Sequence, residues 1–150
     1  MVLEQLDELY RDVILDHFRN PRNVGQLPDA QLKAEGANPL CGDEMTFWLQ
    51  LDGEQIQRVR FKGHGCAISQ AAGSMLTEQI QGKTLGEVEQ LIRALKELMQ
   101  GKSVDPSIEL GDLETLAGVR KFPVRVKCAA LSWNVVEQSL ADHRAKRGAS

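Results

Sequence analysis

The stretch that decides the fold is Met45-Thr46-Phe47-Trp48-Leu49-Gln50-Leu51-Asp52-Gly53-Glu54-Gln55-Ile56-Gln57-Arg58-Val59-Arg60-Phe61-Lys62. Met45, Phe47, Leu49 and Leu51 alternate with Thr46, Trp48 and Gln50, and that period of two is the mark of a strand with one buried face. Asp52-Gly53 supplies the positive φ angles of a tight hairpin turn. The return strand, about Gln55–Lys62, puts Val59 and Phe61 on one face. Ile56 has the wrong parity for that face, which predicts a bulge or a shifted register beside the turn. A third strand within Ala30–Glu35 would complete an antiparallel meander.

Helical spacing surrounds this meander. Leu6, Leu9, Tyr10, Val13, Ile14 and Phe18 predict an amphipathic helix over 3–18. Asn20-Pro21 ends it, because proline disfavours helical geometry in the residue before it, and a loop follows to Gly25. Beyond Gly63-His64-Gly65 a helix is expected over Cys66–Gln81, ended by Gly82. Thr84-Leu85-Gly86-Glu87 reads as a capping box for a helix burying Val88, Leu91, Ile92, Leu95, Leu98 and Met99, with Gly101 as its stop. A polar linker with Pro106 spans 101–111, and Asp112–Ala117 is a short helix closed by Gly118. Pro123 opens a long helix with Val126, Ala130, Trp133 and Leu140 on one face and a basic His143–Arg147 tail. Trp133 reads as core. Strands first and helices afterwards mean α+β: a three-stranded antiparallel sheet in the N-terminal half packed against several helices, with a long C-terminal helix.

At 150 residues the chain is expected to be a single domain, residues 1–150, large enough to fold without disulfides. A formal net charge of −3 argues against nucleic acid as a general partner. The charge is uneven: Glu4, Asp7, Glu8, Asp12 and Asp16 crowd the first helix, whereas Arg120, Lys121, Arg125 and Lys127 cluster without an acid. No basic segment followed by an apolar run opens the chain, and no stretch is apolar enough for a membrane helix. Three cysteines suit a reducing compartment better than a disulfide framework, so a cytoplasmic location is expected, with no membrane partner.

Each cysteine falls at a junction between elements. Cys41 sits in the loop Asn38-Pro39-Leu40-Cys41-Gly42-Asp43, Cys66 where a Gly-His-Gly turn enters a helix, and Cys128 in the first turns of the last helix. A helix N-terminus favours thiolate, the form that binds metal and attacks sulfur. In Cys41-Gly42-Asp43 the glycine lets thiolate and carboxylate meet one ion. Three thiolates and one carboxylate meet the tetrahedral demand of zinc, and soft donors also suit iron–sulfur clusters. Such a site is net negative, and the 120–127 cations are placed to offset it. Taken singly, these residues have plainer readings: a cysteine as a small core side chain, Asp43 as a turn residue, His64 as ligand, proton shuttle or turn surface, the basic cluster as a solvated face.

The run Tyr10–Gly25, with Asp16-His17-Phe18 and Asn20-Pro21-Arg22-Asn23, resembles the opening of the U-type iron–sulfur cluster assembly proteins (the NifU N-terminal or IscU-like family). Asn38–Asp43, Phe61–Ser69 and Phe122–Ala129 resemble that family's three cysteine motifs, in order. The scaffold branch has a histidine immediately before the third cysteine; here Lys127 stands there. The insertion at about 101–118 resembles the SufU branch. That resemblance implies a zinc site of Cys41, Asp43, Cys66 and Cys128. It also implies a zinc-dependent sulfur acceptor that takes persulfide sulfur from a cysteine desulfurase, with Cys41 carrying the sulfur, and passes it to downstream iron–sulfur assembly or recipient proteins. As an enzyme it would be at most a sulfurtransferase. The competing expectation is a scaffold holding a transient [2Fe–2S] cluster on the same ligands. Two further readings are a structural zinc module and a cysteine hydrolase built on Cys66, His64 and Asp43. The hydrolase leaves Cys41 and Cys128 without a role.

Overall fold

The computed structural model describes residues 6–149. The first helix, α1, runs Glu8–Arg19, with the Asp7 carboxylate accepting from the Leu9 N–H at 3.0 Å. Residues 3–5 of the predicted helix lie outside the described residues. Three strands follow, β1 (Leu32–Asn38), β2 (Asp43–Asp52) and β3 (Gln55–His64), in one antiparallel sheet ordered β1-β2-β3. Then come α2 (Ala67–Ile80), α3 (Leu85–Met99), a 3-10 segment (Gly111–Lys121) and α4 (Pro123–Ala149). The α+β reading holds.

Phe47 pairs with Phe61 and Leu49 with Val59, so the buried sides of β2 and β3 coincide, and the two phenylalanine rings stack 5.7 Å apart. The register then shifts between Gln50 and Leu51, and Leu51 meets Ile56. That slip turns Ile56 inward, where it is fully buried, and resolves the parity conflict in its sequence. β1 starts two residues later than expected and runs on to Asn38, because its ladder with β2 continues until Asn38 faces Asp43.

Helices α2 and α4 cover the buried face of the sheet; α4 lies on β1 and β2, and α2 on β3. α1 packs against α2 and the 3-10 segment. The capping box of α3 is complete: Glu87 N–H donates to the Thr84 hydroxyl at 3.2 Å, and Thr84 N–H to the Glu87 carboxylate at 3.0 Å. Trp133 and Leu140 are buried on α4, while Val126 and Ala130 are only half-buried.

One element differs from expectation. The short helix placed over Asp112–Ala117 is a 3-10 coil over Gly111–Lys121 that does not stop at Gly118. A Cβ at Gly118 would meet Leu6 and Tyr10 at 3.3 Å, so this glycine serves the close approach of the N-terminal segment and α1. Among the described residues, no helix is long and apolar enough to cross a membrane.

Candidate functional site

Three junctions meet at one end of the sheet. Asp43 opens β2, paired across the sheet with Asn38, and Cys41 stands in the tight loop between them, where Gly42 has φ +67°. The chain leaves β3 at His64, and Cys66 forms the N-cap of α2, its sulfur accepting from the Ser69 N–H at 3.4 Å. Pro123 starts α4, and Cys128 follows in its second turn, fully buried.

The ligand atoms of Cys41, Asp43 and Cys128 all lie within 4.8 Å of one another. The sulfurs of Cys41 and Cys128, both free thiols, are 2.7 Å apart. Cys66 is not part of that tightest group, yet its charge and its hydrogen bond both act on Cys128. All three thiols therefore share one electrostatic environment.

Asp43 is divided between two roles. One oxygen, Oδ1, accepts from the Cys66 N–H at 2.8 Å and from the Ser69 hydroxyl at 3.0 Å. The other, Oδ2, is buried and has no partner of regular hydrogen-bond geometry, while the Asp43 carboxylate acts on the Cys128 thiol beside it. A buried polar atom without a partner costs about 1–3 kcal/mol, and a carboxylate oxygen costs more. An anionic oxygen so placed beside thiols is the donor a cation lacks to complete a set of three sulfurs and one oxygen. The residues present fit such an ion.

Burial pushes the Cys128 thiol well up from its ordinary value of 9.0, reinforced by its hydrogen bond with Cys41 and the charge of Cys66. Without a cation the Cys128 thiol keeps its proton; a bound divalent ion reverses that preference and deprotonates the thiols that ligate it. Arg125 carries the compensating charge. Its Nη1 lies 3.9 Å from both the Cys41 and Cys128 sulfurs. Its own pKa is raised, first by the hydrogen bond with Cys128, against burial, and then by the charges of Cys66, Cys128 and Cys41.

The rest of the basic cluster does not reach the sulfurs. Arg120 donates to the Leu98 carbonyl at 3.2 Å, and Lys121 and Lys127 are exposed. The sequence put four cations in range; Arg120 and Lys121 stay on the 3-10 segment, and of the two on α4 only Arg125 faces the sulfurs. His64 is exposed and pairs with Glu44 at 2.9 Å, not with Cys66, so a hydrolase built on those two has no base. Sequence reading missed Ser69 and Asn38. Asn38 Nδ2 lies 3.8 Å from the Cys128 sulfur. Ser69, three residues after an N-cap cysteine, sits where an N-terminal side chain turns back toward the cap, and that spacing was the available signal.

The model of the NifU-like N terminal domain matches residues 9–150. The chain belongs to that family. It is 46% identical over 136 residues to the zinc-dependent sulfurtransferase SufU of Bacillus subtilis, covering 91% of this chain and 92% of the relative. It is 39% identical to the iron–sulfur cluster assembly scaffold protein IscU of Streptococcus pyogenes, covering 93% of this chain and 87% of that one. Among solved structures it resembles a protein described as a putative iron–sulfur cluster assembly scaffold for the SUF system of Fervidobacterium islandicum. That match has a TM-score of 0.82 and 38% identity, with 86% of this chain and 94% of the other covered. The resemblance seen in the motifs is thus a family membership, and SufU and IscU proteins are both relatives.

Proposed function

We propose that this chain serves iron–sulfur cluster assembly as a zinc-dependent sulfur acceptor, with Cys41, Asp43, Cys66 and Cys128 as the metal ligands and Cys41 as the residue that takes the sulfur. The observation that carries the reading is the buried Asp43 carboxylate within 4.8 Å of the Cys41 and Cys128 sulfurs and tied to the Cys66 N–H, with Arg125 3.9 Å from both sulfurs. Zinc bound there supplies positive charge that keeps the thiols deprotonated at neutral pH.

Each residue then has a defined task. Ser69 and the Cys66 N–H hold Asp43 Oδ1, so the carboxylate is fixed beside the Cys41 and Cys128 sulfurs. Arg125 offsets the excess negative charge. Cys128, fully buried, retains the ion, and Cys66, tied by one weak N–H···S contact, is the remaining donor. Cys41 and Cys66 are both half-buried, and Cys41 alone of the three stands in a loop between strands, a position from which a thiol can meet a partner. Leu40, 67% exposed, precedes it in the loop, and Val124, 54% exposed, lies one turn before Cys128 on α4.

The partner proposed is a cysteine desulfurase carrying a persulfide. The Cys41 thiolate attacks the outer sulfur, the desulfurase S–S bond breaks, and a persulfide forms on Cys41 while the desulfurase thiolate is released. One S–S bond replaces another, so no external oxidant or reductant is required. From Cys41 the sulfur would pass to assembly or recipient proteins in a reducing, cytoplasmic setting.

Elemental analysis of freshly purified protein followed by a sulfur-transfer assay with the host desulfurase tests metal and activity together. Zinc near one equivalent and a persulfide on Cys41 are expected, and Cys41→Ser is expected to abolish sulfur acceptance. Normal acceptance by that variant moves the role to another thiol. A scaffold reading draws on the 39% identity to a protein named IscU. Protein from iron-replete cells that carries a coloured cluster in place of zinc would favour it.

A further inference from the structure

A second cluster of ligating side chains lies away from the cysteines, where α1, α2 and the 3-10 segment meet. His17, on α1, is fully buried. Its Nδ1 lies 2.7 Å from the Ser74 hydroxyl of α2. Its Nε2 lies 2.8 Å from Asp112 Oδ2 of the 3-10 segment and 3.6 Å from Glu78 Oε1, one turn along α2 from Ser74. The three ligand atoms of His17, Glu78 and Asp112 are all within 4.8 Å of one another. We propose that these three residues form a second divalent-cation site, of nitrogen and carboxylate character, that fastens the 111–121 segment onto α1 and α2.

The charge balance points the same way. Arg22, the neighbouring cation, is engaged with Asp16 at 2.6 Å and with the Asn20 carbonyl at 3.1 Å. Glu78 and Asp112 feel the Arg22 charge but make no ion pair with a lysine or arginine among the described residues, and both face the same imidazole nitrogen. One proton on Nε2 serves the two carboxylates incompletely, whereas a divalent ion satisfies both. The arrangement already provides what a ligating histidine needs behind it. With Nδ1–H donating to Ser74 Oγ, Nε2 presents its lone pair. Ser74 Oγ also accepts from the Arg22 N–H at 2.8 Å, which holds it in place. Donors about 2.1 Å from a tetrahedral ion stand about 3.4 Å apart. The 3.6 Å separation already meets that spacing, and the 2.8 Å one needs a small opening. Glu78 and Asp112 are 42% and 53% exposed, so an ion has a way in and water can complete its shell.

The chemistry separates this site from the thiol site. One imidazole and two carboxylates suit manganese, ferrous iron and zinc, whereas three thiolates discriminate against manganese. The test is a titration of the full zinc-loaded chain with Mn2+ up to about 1 mM, followed by electron paramagnetic resonance and thermal unfolding. One saturable Mn2+ per chain and a raised Tm are expected. Asp112→Asn and Glu78→Gln, each at a half-exposed position and close in shape, should weaken Mn2+ binding at least about tenfold and lose the Tm increase, while sulfur acceptance is unchanged. Bound Mn2+ should also broaden the ring signals of His17 far more strongly, and at lower Mn2+, than those of His64 and His143, a result that merely structural pairing of His17 with Asp112 would not give. No saturable binding, binding indifferent to both variants, or an unbroadened His17 overturns the proposal.

Discussion

Replacing Gly65 by alanine isolates the seat of the Asp43 carboxylate. Gly65 has φ +148°, and a Cβ built there would stand 2.2 Å from Asp43 Oδ1 and 2.9 Å from Asp43 Cα. The second contact is with backbone, so moving the side chain alone does not relieve it. Gly25 is a matched reference: its φ is +141°, and nothing lies within 4 Å of its would-be Cβ. Both substitutions pay the backbone cost of a positive φ, of order 1–3 kcal/mol. Only Gly65→Ala adds the steric cost of overpacking, also about 1–3 kcal/mol. The difference between the variants, read by chemical denaturation of metal-free protein, should therefore be about 1–3 kcal/mol. For a chain of this length that corresponds to a Tm gap of roughly 3–9 °C. Displacing Asp43 also pulls Oδ2 from the sulfurs, so Gly65→Ala should retain zinc poorly and Gly25→Ala normally. Equal stability of the two variants, within about 0.5 kcal/mol, together with equal zinc retention, would refute the reasoning that the Gly65 turn and the carboxylate are packed as one unit.

Two further predictions concern the same site. Arg125→Gln removes the cation 3.9 Å from two sulfurs and should weaken zinc retention about 10–100-fold in chelator competition; Arg125→Lys, a point charge on a flexible stem, should fall between. The raised Cys128 thiol sets a pH dependence in metal-free protein. The folded chain keeps a proton that the unfolded chain releases above the ordinary value of 9.0, so the stabilisation is complete below that pH and declines as pH rises further. The slope attributable to this thiol is at most about 1.4 kcal/mol per pH unit, and Cys128→Ser should flatten it in denaturation curves taken between neutral and alkaline pH.

What could be read from the chain was local. The alternation of Met45–Leu51, the Asp52-Gly53 turn, the off-parity Ile56 and the Thr84–Glu87 box each act over a few residues, and each appears where its own pattern put it. The cysteine motifs, being short and ordered, were enough to identify the family. Boundaries went astray where a distant neighbour outweighed the local signal. Gly118 reads as a helix stop, yet it serves the contact with Leu6 and Tyr10.

The sequence by itself determined the kinds of element, their order and the donor types available: three sulfurs, a carboxylate and an adjacent basic run. Only the tertiary structure decided which groups meet. It set Asp43 with one oxygen held by two donors, brought Arg125 alone of the four cations to the sulfurs, and left Cys66 beside the tightest trio. It also buried His17, which sequence reading quoted only as part of the opening motif, between carboxylates from two other elements. The physical reason is range. Periodicity and capping are encoded over three or four residues, whereas proximity between side chains far apart in the chain depends on how the helices settle on the sheet, to which every core contact contributes.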